Sequence, residues 1–318
     1  MKRIAFFMPF RGCLRKCIYC NQVLITGRNE MEELSPETVS REVMRHSAAI
    51  ELCFFGGSFA RQRIGKIKSY LDAIRYAPPG SEITFSSYPG DFEGPRGKEL
   101  IDLLSGYPIG TIELGVPSLD SRVLRICGRD DEPEKIKNSI SFLRNEGIHI
   151  GVQIMIGLPG QTFESVLSDL DVLGGLMEGA PSWHLRIYPC LVLRDTELAS
   201  LYRRGEFAPL DLEAAVKQTG ALLHRAERLG FTVIRVGLPE SVSLRESVLA
   251  GPYHPSFGEL ALSEKLVTHL VSDAPRGPWH IDSRQISHLT GHGGYGIKRL
   301  AVLSLMTIDD VKSLVKMG

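Results

Sequence analysis

The chain has no surplus of charge. Its 318 residues carry 37 basic and 37 acidic side chains, so no global field draws it to nucleic acid or a membrane, and any basic binding face must be local. It also lacks an apolar run near the roughly 18 residues that a bilayer span needs. No cleavable leader is evident. The opening "MKRIAFFMPFRGC" is basic and then apolar, but the run stops at Arg11 and no small-residue cleavage site follows. A buried first strand is the expectation, in a cytoplasmic protein whose thiols stay reduced. Cysteine is scarce, with six residues, and in a reducing compartment clustered cysteines indicate metal or redox chemistry rather than disulfides. No low-complexity linker and no internal repeat break the chain. Its length suits one large α/β barrel or two ordinary domains, with core enough to need no disulfide staples.

What is present is alternation. Short β-branched and aromatic runs predict strands near Arg3–Phe10, Glu51–Phe55, Glu82–Tyr88, Thr111–Val116, His149–Ile156 and His184–Tyr188. Helix-period segments lie between them near Pro36–Ile50, Ile64–Tyr76, Lys98–Leu104, Glu134–Asn145 and Phe163–Met177. Ser35-Pro36 reads as an N-cap with a first-turn proline. Six βα units imply parallel strands with right-handed crossovers, a partial (β/α)6 TIM-like barrel whose site lies at the carboxyl ends of its strands. Two helical stretches and a strand near Phe231–Val236 follow. The division expected is a barrel over 1–240 and a small α+β domain over 241–318.

"GCLRKCIYC" places Cys13, Cys17 and Cys20 in the loop after the first strand. Thiolates bind iron–sulfur clusters and zinc. A closed four-iron cluster or a structural zinc needs four ligands, and Cys53, Cys127 and Cys190 are scattered. The simplest reading is a cluster with one iron left open; spacing alone also allows a zinc completed by a distant His or Cys. "FFGGSF" ends the second strand, and Gly56, Gly57 and Ser58 would let the backbone approach a ligand. In "TIELGVPS" the alternation turns Glu113 into the barrel, and in "HIGVQIMIGLPGQT" it turns Gln153 and Met155 inward. His184, Arg186 and Tyr188 face inward from the sixth strand as candidate substrate contacts, with Arg235 a further one.

These motifs resemble those of the radical S-adenosylmethionine enzymes, whose loop has the spacing C-x3-C-x2-C with an aromatic before the last cysteine, here Tyr19. The resemblance implies a [4Fe-4S] cluster held by Cys13, Cys17 and Cys20. It also implies S-adenosylmethionine on the open iron, a one-electron donor of flavodoxin or ferredoxin type, and hydrogen abstraction from a substrate by a 5′-deoxyadenosyl radical. The glycine segment would hold the methionine part. "IELGVPSLDSRVLRICGRD" and "GVQIMIGLPGQT" are similar to segments of the oxygen-independent coproporphyrinogen oxidases and the Elongator catalytic subunit. The likeness runs over roughly residues 3 to 238. On it, Arg129 falls on an arginine that contacts S-adenosylmethionine, and Gln153 on a ribose-binding Asp. Pro117 and Ser86 depart from the pattern, each standing where a polar or acidic contact is usual. The Elongator likeness suggests transfer-RNA uridine as substrate, but its acetyltransferase domain has no counterpart here. The substrate is therefore left unidentified, with RNA modification as one alternative and a zinc-containing RNA-binding module as another. In the tail, "ISHLTGHGGYGIKRL" resembles the G-x-x-G loop with which KH domains clamp a nucleic-acid backbone, with Gly291, Gly294, Lys298 and Arg299 as the candidate contacts. A plain helix–turn–helix corner is the competing reading.

Overall fold

The computed structural model describes residues 1–27, 34–129 and 132–317. The first half of the chain gives β1 (Lys2–Met8), α1 (Gln22–Thr26), α2 (Pro36–Val43), β2 (Ile50–Gly56), α3 (Ile64–Leu71), β3 (Glu82–Ser87), α4 (Gly94–Leu104), β4 (Ile109–Gly115), α5 (Ser121–Ile126), α6 (Pro133–Asn145) and β5 (Ile150–Ile156). Then come α7 (Phe163–Met177), β6 (His184–Pro189), β7 (Val192–Leu193), α8 (Glu197–Arg203), α9 (Leu212–Arg228), β8 (Thr232–Val236), α10 (Val242–Ser247) and β9 (Val248–Ala250). The tail holds α11 (Phe257–Asp273), β10 (Trp279–Ile281), α12 (Ile286–Ser304), α13 (Ile308–Leu314) and β11 (Val315–Met317).

Seven strands form one sheet in the order β1-β2-β3-β4-β5-β6-β8, each neighbouring pair parallel. The strand foreseen at Phe231–Val236 joins this sheet as its seventh member, one beyond the six βα units. β1 and β8 stand at opposite edges, so the structure is a half-barrel. Alternation explains its two faces. Leu52, Phe54, Ile83, Phe85, Ile112, Leu114, Val152, Ile154, Leu185 and Ile187 are buried in the core between sheet and helices. Caps set where helices begin. Ser35 Oγ accepts from the Thr38 N–H (3.1 Å) with Pro36 in the first turn, and Asp211 Oδ1 accepts from Ala214 N–H (2.7 Å).

The open side is bridged at the carboxyl end of the strands. α1 lies against α10, where Ser241 Oγ donates to the Ile25 carbonyl (3.4 Å) and Ile25 joins an apolar cluster with Leu191, Leu193 and Leu244. β7 pairs antiparallel with β9, and Arg194 N–H donates to the Ser247 carbonyl (2.8 Å).

Packing continues past the boundary foreseen near 240. Phe257, Leu260 and Ala261 of α11 join the barrel core, while Leu266, Val267 and Leu270 join Trp279, Leu289, Leu300 and Val311 in a second cluster. Glu264, almost fully buried, ties these helices together, accepting from Arg299 Nε (2.9 Å) and Tyr295 Oη (3.0 Å). Among the described residues no helix is long and apolar enough to cross a membrane.

Candidate active site

The side chains that carry chemistry converge on one cavity of about 660 Å³ at the carboxyl end of the half-barrel, reaching into its interior. Cys13, Cys17, Tyr19 and Cys20 line it from the loop after β1. Gly56, Gly57 and Ser58 line it from the turn after β2, and Ser86, Glu113, Gln153, Arg186, Tyr188 and Arg235 from the interior faces of β3 to β8. Arg129, from the segment after α5, completes the rim.

The cysteine loop is fixed on both sides. Toward the sheet, Gly57 N–H donates to Met8 O (3.0 Å) and Ser58 N–H to Arg11 O (2.7 Å). A Cβ on Gly57 would be driven into the Arg11 backbone, and one on Gly12, whose φ is +77°, into the Ser58 carbonyl. The glycines thus serve backbone-to-backbone contact between the two loops. Toward the helices, Ile18 N–H donates to Cys127 O (3.2 Å) and Leu198 N–H to Ile18 O (2.9 Å). The three thiols are free. Burial, then Cys17 and Cys13, pushes the Cys20 thiol up to about 12, while Gln22 and Arg129 oppose the shift. Cys13 is raised by burial and Cys17, with Arg129 again opposing. Three thiols on one loop, with the Arg129 guanidinium acting on Cys13 and Cys20, form a donor set that suits a cationic cluster able to absorb thiolate charge. Cys53, Cys127 and Cys190 are buried, Cys127 and Cys190 within an apolar cluster that includes Ile18, Met155 and Leu158.

Below the glycine turn lies a network that sequence reasoning missed. Asp91 is fully buried and accepts from Ser58 Oγ and Arg61 Nε. Burial raises its pKa against the pull of Ser58 and Arg61. Tyr88 stands between two cations, with Arg129 4.6 Å and Arg61 6.0 Å from its ring centre. Arg129 Nη2 also donates to Gly115 O (3.0 Å). Asp91 lies in a Tyr-Pro-Gly-Asp turn, which reads as a loop; a carboxylate just beyond Ser86, where an acidic residue is usual, was the available signal.

Deeper in, Glu113 reaches across β5 to Arg186 Nη2. Gly151 lies under that path, and a Cβ there would stand 3.1 Å from Glu113 Cγ. Burial works against the charge on Arg186, but the bond to Glu113 and the nearby Tyr188 outweigh it, so the guanidinium is held above its ordinary value. Arg186 and Arg235 are cross-strand neighbours, and Arg235 Nε donates to Gly237 O (3.2 Å). The partly buried Tyr188 has a raised pKa, chiefly from desolvation. Apolar walls come from Phe7, Phe55 and Met155.

Two expectations end elsewhere. His184 does face inward, but as the first residue of β6 it sits at the amino end of the sheet, 4.6 Å from the His149 ring, and does not line the cavity. The tail glycines do form a loop: Gly291 to Gly294 interrupt α12, and His292, Gly293 and Gly294 all have positive φ. Lys298 is exposed there, but the Arg299 guanidinium is held by Glu264 rather than turned out for a backbone phosphate.

Fold and cavity together define a half-barrel that presents a three-thiol loop to a deep interior carrying Glu113, Arg186 and Arg235 among apolar walls. Residues 7–173 match the model of the radical SAM (S-adenosylmethionine) superfamily and residues 182–267 that of the Radical_SAM C-terminal domain; the chain belongs to this superfamily, which binds a [4Fe-4S] cluster and S-adenosylmethionine. Among curated proteins, it is 29% identical to a tRNA uridine(34) acetyltransferase of Methanocaldococcus infernus over 33% of this chain and 20% of that one. It is 31% identical to the uncharacterized protein MJ0486 of Methanocaldococcus jannaschii over 63% and 64%, and 26% identical to the heme chaperone HemW of Lactococcus lactis over 63% and 52%. The chain thus spans less than two thirds of the length of each of these relatives. Among solved structures, archaeal Elp3 of Methanocaldococcus infernus superposes with a TM-score of 0.61 at 19% identity, covering 85% of this chain and 63% of that one. Coproporphyrinogen III oxidase (HemN) of Escherichia coli gives 0.51 at 16%, covering 71% and 53%. At such identities these superpositions establish the fold alone.

Proposed function

We propose that this protein is a radical S-adenosylmethionine enzyme, with the cluster on Cys13, Cys17 and Cys20 and the reaction confined to the cavity described above. When bound, the cluster and S-adenosylmethionine supply a one-electron cleavage that yields a 5′-deoxyadenosyl radical competent to abstract hydrogen. The observation that carries the reading is the shared cavity: three thiols, a glycine turn and a guanidinium converge at the carboxyl end of a parallel half-barrel. Only three thiols are offered, so a metal coordination position remains for a small-molecule ligand.

The chain's own residues then have separable tasks. Tyr19 and the apolar cluster beneath it shield the thiols from water. The Gly56–Gly57–Ser58 backbone, with Ser58 steadied by Asp91, forms the cradle for the amino-acid part of S-adenosylmethionine. Arg129 and Gln153 fix the remainder of that cofactor. Arg186, Tyr188 and Arg235, on the far wall, orient the substrate. An electron donor of flavodoxin or ferredoxin type supplies the electron. In the test, anaerobically reconstituted protein is reduced with dithionite and assayed for 5′-deoxyadenosine and methionine. Formation of both, dependent on the cluster, is expected; a loaded, reduced protein that forms neither would sink the proposal and favour a non-catalytic role such as that named for the heme chaperone relatives.

RNA is the second reading for the substrate, supported by the relatives named as tRNA uridine(34) acetyltransferases. On that reading bulk transfer RNA stimulates 5′-deoxyadenosine formation, and changing Gly291 and Gly294 to bulky acidic residues removes the stimulation. No binding of transfer RNA at low salt counts against it.

A further inference from the structure

Three arginines line the cavity from the strands of the main sheet: Arg3 of β1, Arg186 of β6 and Arg235 of β8. Two of them have a carboxylate of their own. Arg3 meets Glu51 with both prongs of its fork, Nε at 2.7 Å and Nη2 at 3.0 Å, and Arg186 is held by Glu113. Among the described residues no carboxylate pairs with Arg235. Its Nε donates to the Gly237 carbonyl (3.2 Å), and its two Nη groups have no acceptor among those residues. Glu240, which also lines the cavity, is engaged by Arg245 Nη2 and Tyr253 Oη (both 2.6 Å).

Arg186 is the register partner of Arg235 on the adjacent strand. Its guanidinium lies over the Phe55 ring, 5.6 Å from the centre, and its Nε is buried with no hydrogen-bond partner. Two guanidiniums side by side thus share one carboxylate, an arrangement that like charges disfavour and that a bound anion relieves. The planar fork of an arginine matches the two oxygens of a carboxylate.

We propose that Arg235, with Arg186 beside it, forms a binding site for a carboxylate group of the substrate. The unbalanced charge is a single one, which suits a carboxylate better than a phosphate monoester of about −1.5 to −2. A phosphodiester also carries one charge, but its chain continues on both sides. A carboxylate is a terminal group, which a site on the inner face of the sheet can take end-on. The rings of Phe7 and Phe55, 6.2 Å apart, give the carbon chain behind it an apolar wall. The inference rests on the reading of this cavity as the reaction chamber and names the substrate class as a carboxylic acid.

Binding, not turnover, tests it. Saturation-transfer NMR on oxidised, cluster-loaded protein gives the Kd for butyrate as the probe, with S-adenosylmethionine saturating so that the cofactor's own site is filled. The neutral isostere butanamide is expected to bind at least tenfold more weakly than butyrate, and diethyl phosphate at least fivefold more weakly. Arg235→Gln is expected to weaken butyrate binding at least tenfold. Arg235→Lys weakens it by less, because it keeps the charge and loses the fork. Glu113→Gln tightens it at least threefold by releasing Arg186. Butanamide binding as tightly as butyrate, a comparison that needs no variant to fold, would overturn the site. So would an unchanged butyrate Kd in Arg235→Gln, or diethyl phosphate binding more tightly than butyrate, which would assign this wall to a nucleic-acid backbone. A wild-type protein that forms no 5′-deoxyadenosine yet shows the expected butyrate pattern would sink the catalytic reading and leave the carboxylate site standing.

Discussion

Cys17 stands in the middle of its loop, four residues after the first thiol and three before the last, and no other thiol is offered from the same loop. Cys17→Ala is expected to abolish 5′-deoxyadenosine formation, measured by chromatography of quenched reactions; undiminished turnover would refute its ligand role. Arg129→Ala and Gln153→Ala are expected to weaken S-adenosylmethionine binding at least tenfold, with iron content near wild type, because neither side chain belongs to the thiol loop. Loss of iron in these variants would reassign them to the fold. His184 gives a pH prediction. Burial, then His149, lowers its pKa in the folded state, so the unfolded chain binds the proton more readily. Its contribution to stability is therefore present above the unfolded value of about 6.5 and is lost as pH falls below it. His184→Gln is expected to flatten the loss of stability as pH falls below about 6.5 in thermal melts. The inward residues of the cavity were legible because strand alternation fixes direction, which sufficed for Glu113, Gln153, Arg186 and Tyr188. His184 faces inward as expected, but alternation gives the face and not the height along the strand, and height separates a cavity wall from the barrel floor. Asp91 escaped notice because its partner is distant in sequence: Ser58 lies across a βα unit.

The elements around the glycine turn show how packing holds a site. The single turn that follows it, Phe59–Arg61, buries Phe59 against Phe54 (4.8 Å between ring centres) and Phe85 (4.9 Å). Arg96 Nη2 donates to the Ala60 and Gln62 carbonyls (both 2.7 Å). Phe59→Ala is expected to cost about 3–5 kcal/mol of stability in denaturant titration of the metal-free chain. Gly57→Ala acts differently, since the added methyl meets the Arg11 backbone rather than a flexible side-chain end. It is expected to lower iron incorporation by more than half with a smaller change in melting temperature. Normal iron uptake would show that the two loops separate freely. Every strand of the sheet was legible to within about two residues, because short runs rich in β-branched and aromatic residues alternate with helix-period segments along the chain. Helix ends were less so. α2 stops at Val43 rather than running toward Ile50, and the stretch after Leu71 tightens into a 3₁₀ turn over Asp72–Tyr76; exposed last turns carry little apolar signal to mark them.

At the scale of the whole molecule, the sheet opens between β1 and β8, and the contact of α1 with α10 crosses that opening above the thiols. Leu244, nearly fully buried there, is its apolar anchor. Leu244→Ala is expected to speed bleaching of the cluster's visible absorption in air, with the anaerobic spectrum unchanged. An unaltered bleaching rate would mean that oxygen reaches the cluster by another path. A fully closed barrel must break ladder hydrogen bonds to admit a bulky guest. Here β1 and β8 are the two free edges of one sheet, so the interior can be reached between them with every rung of the main sheet intact.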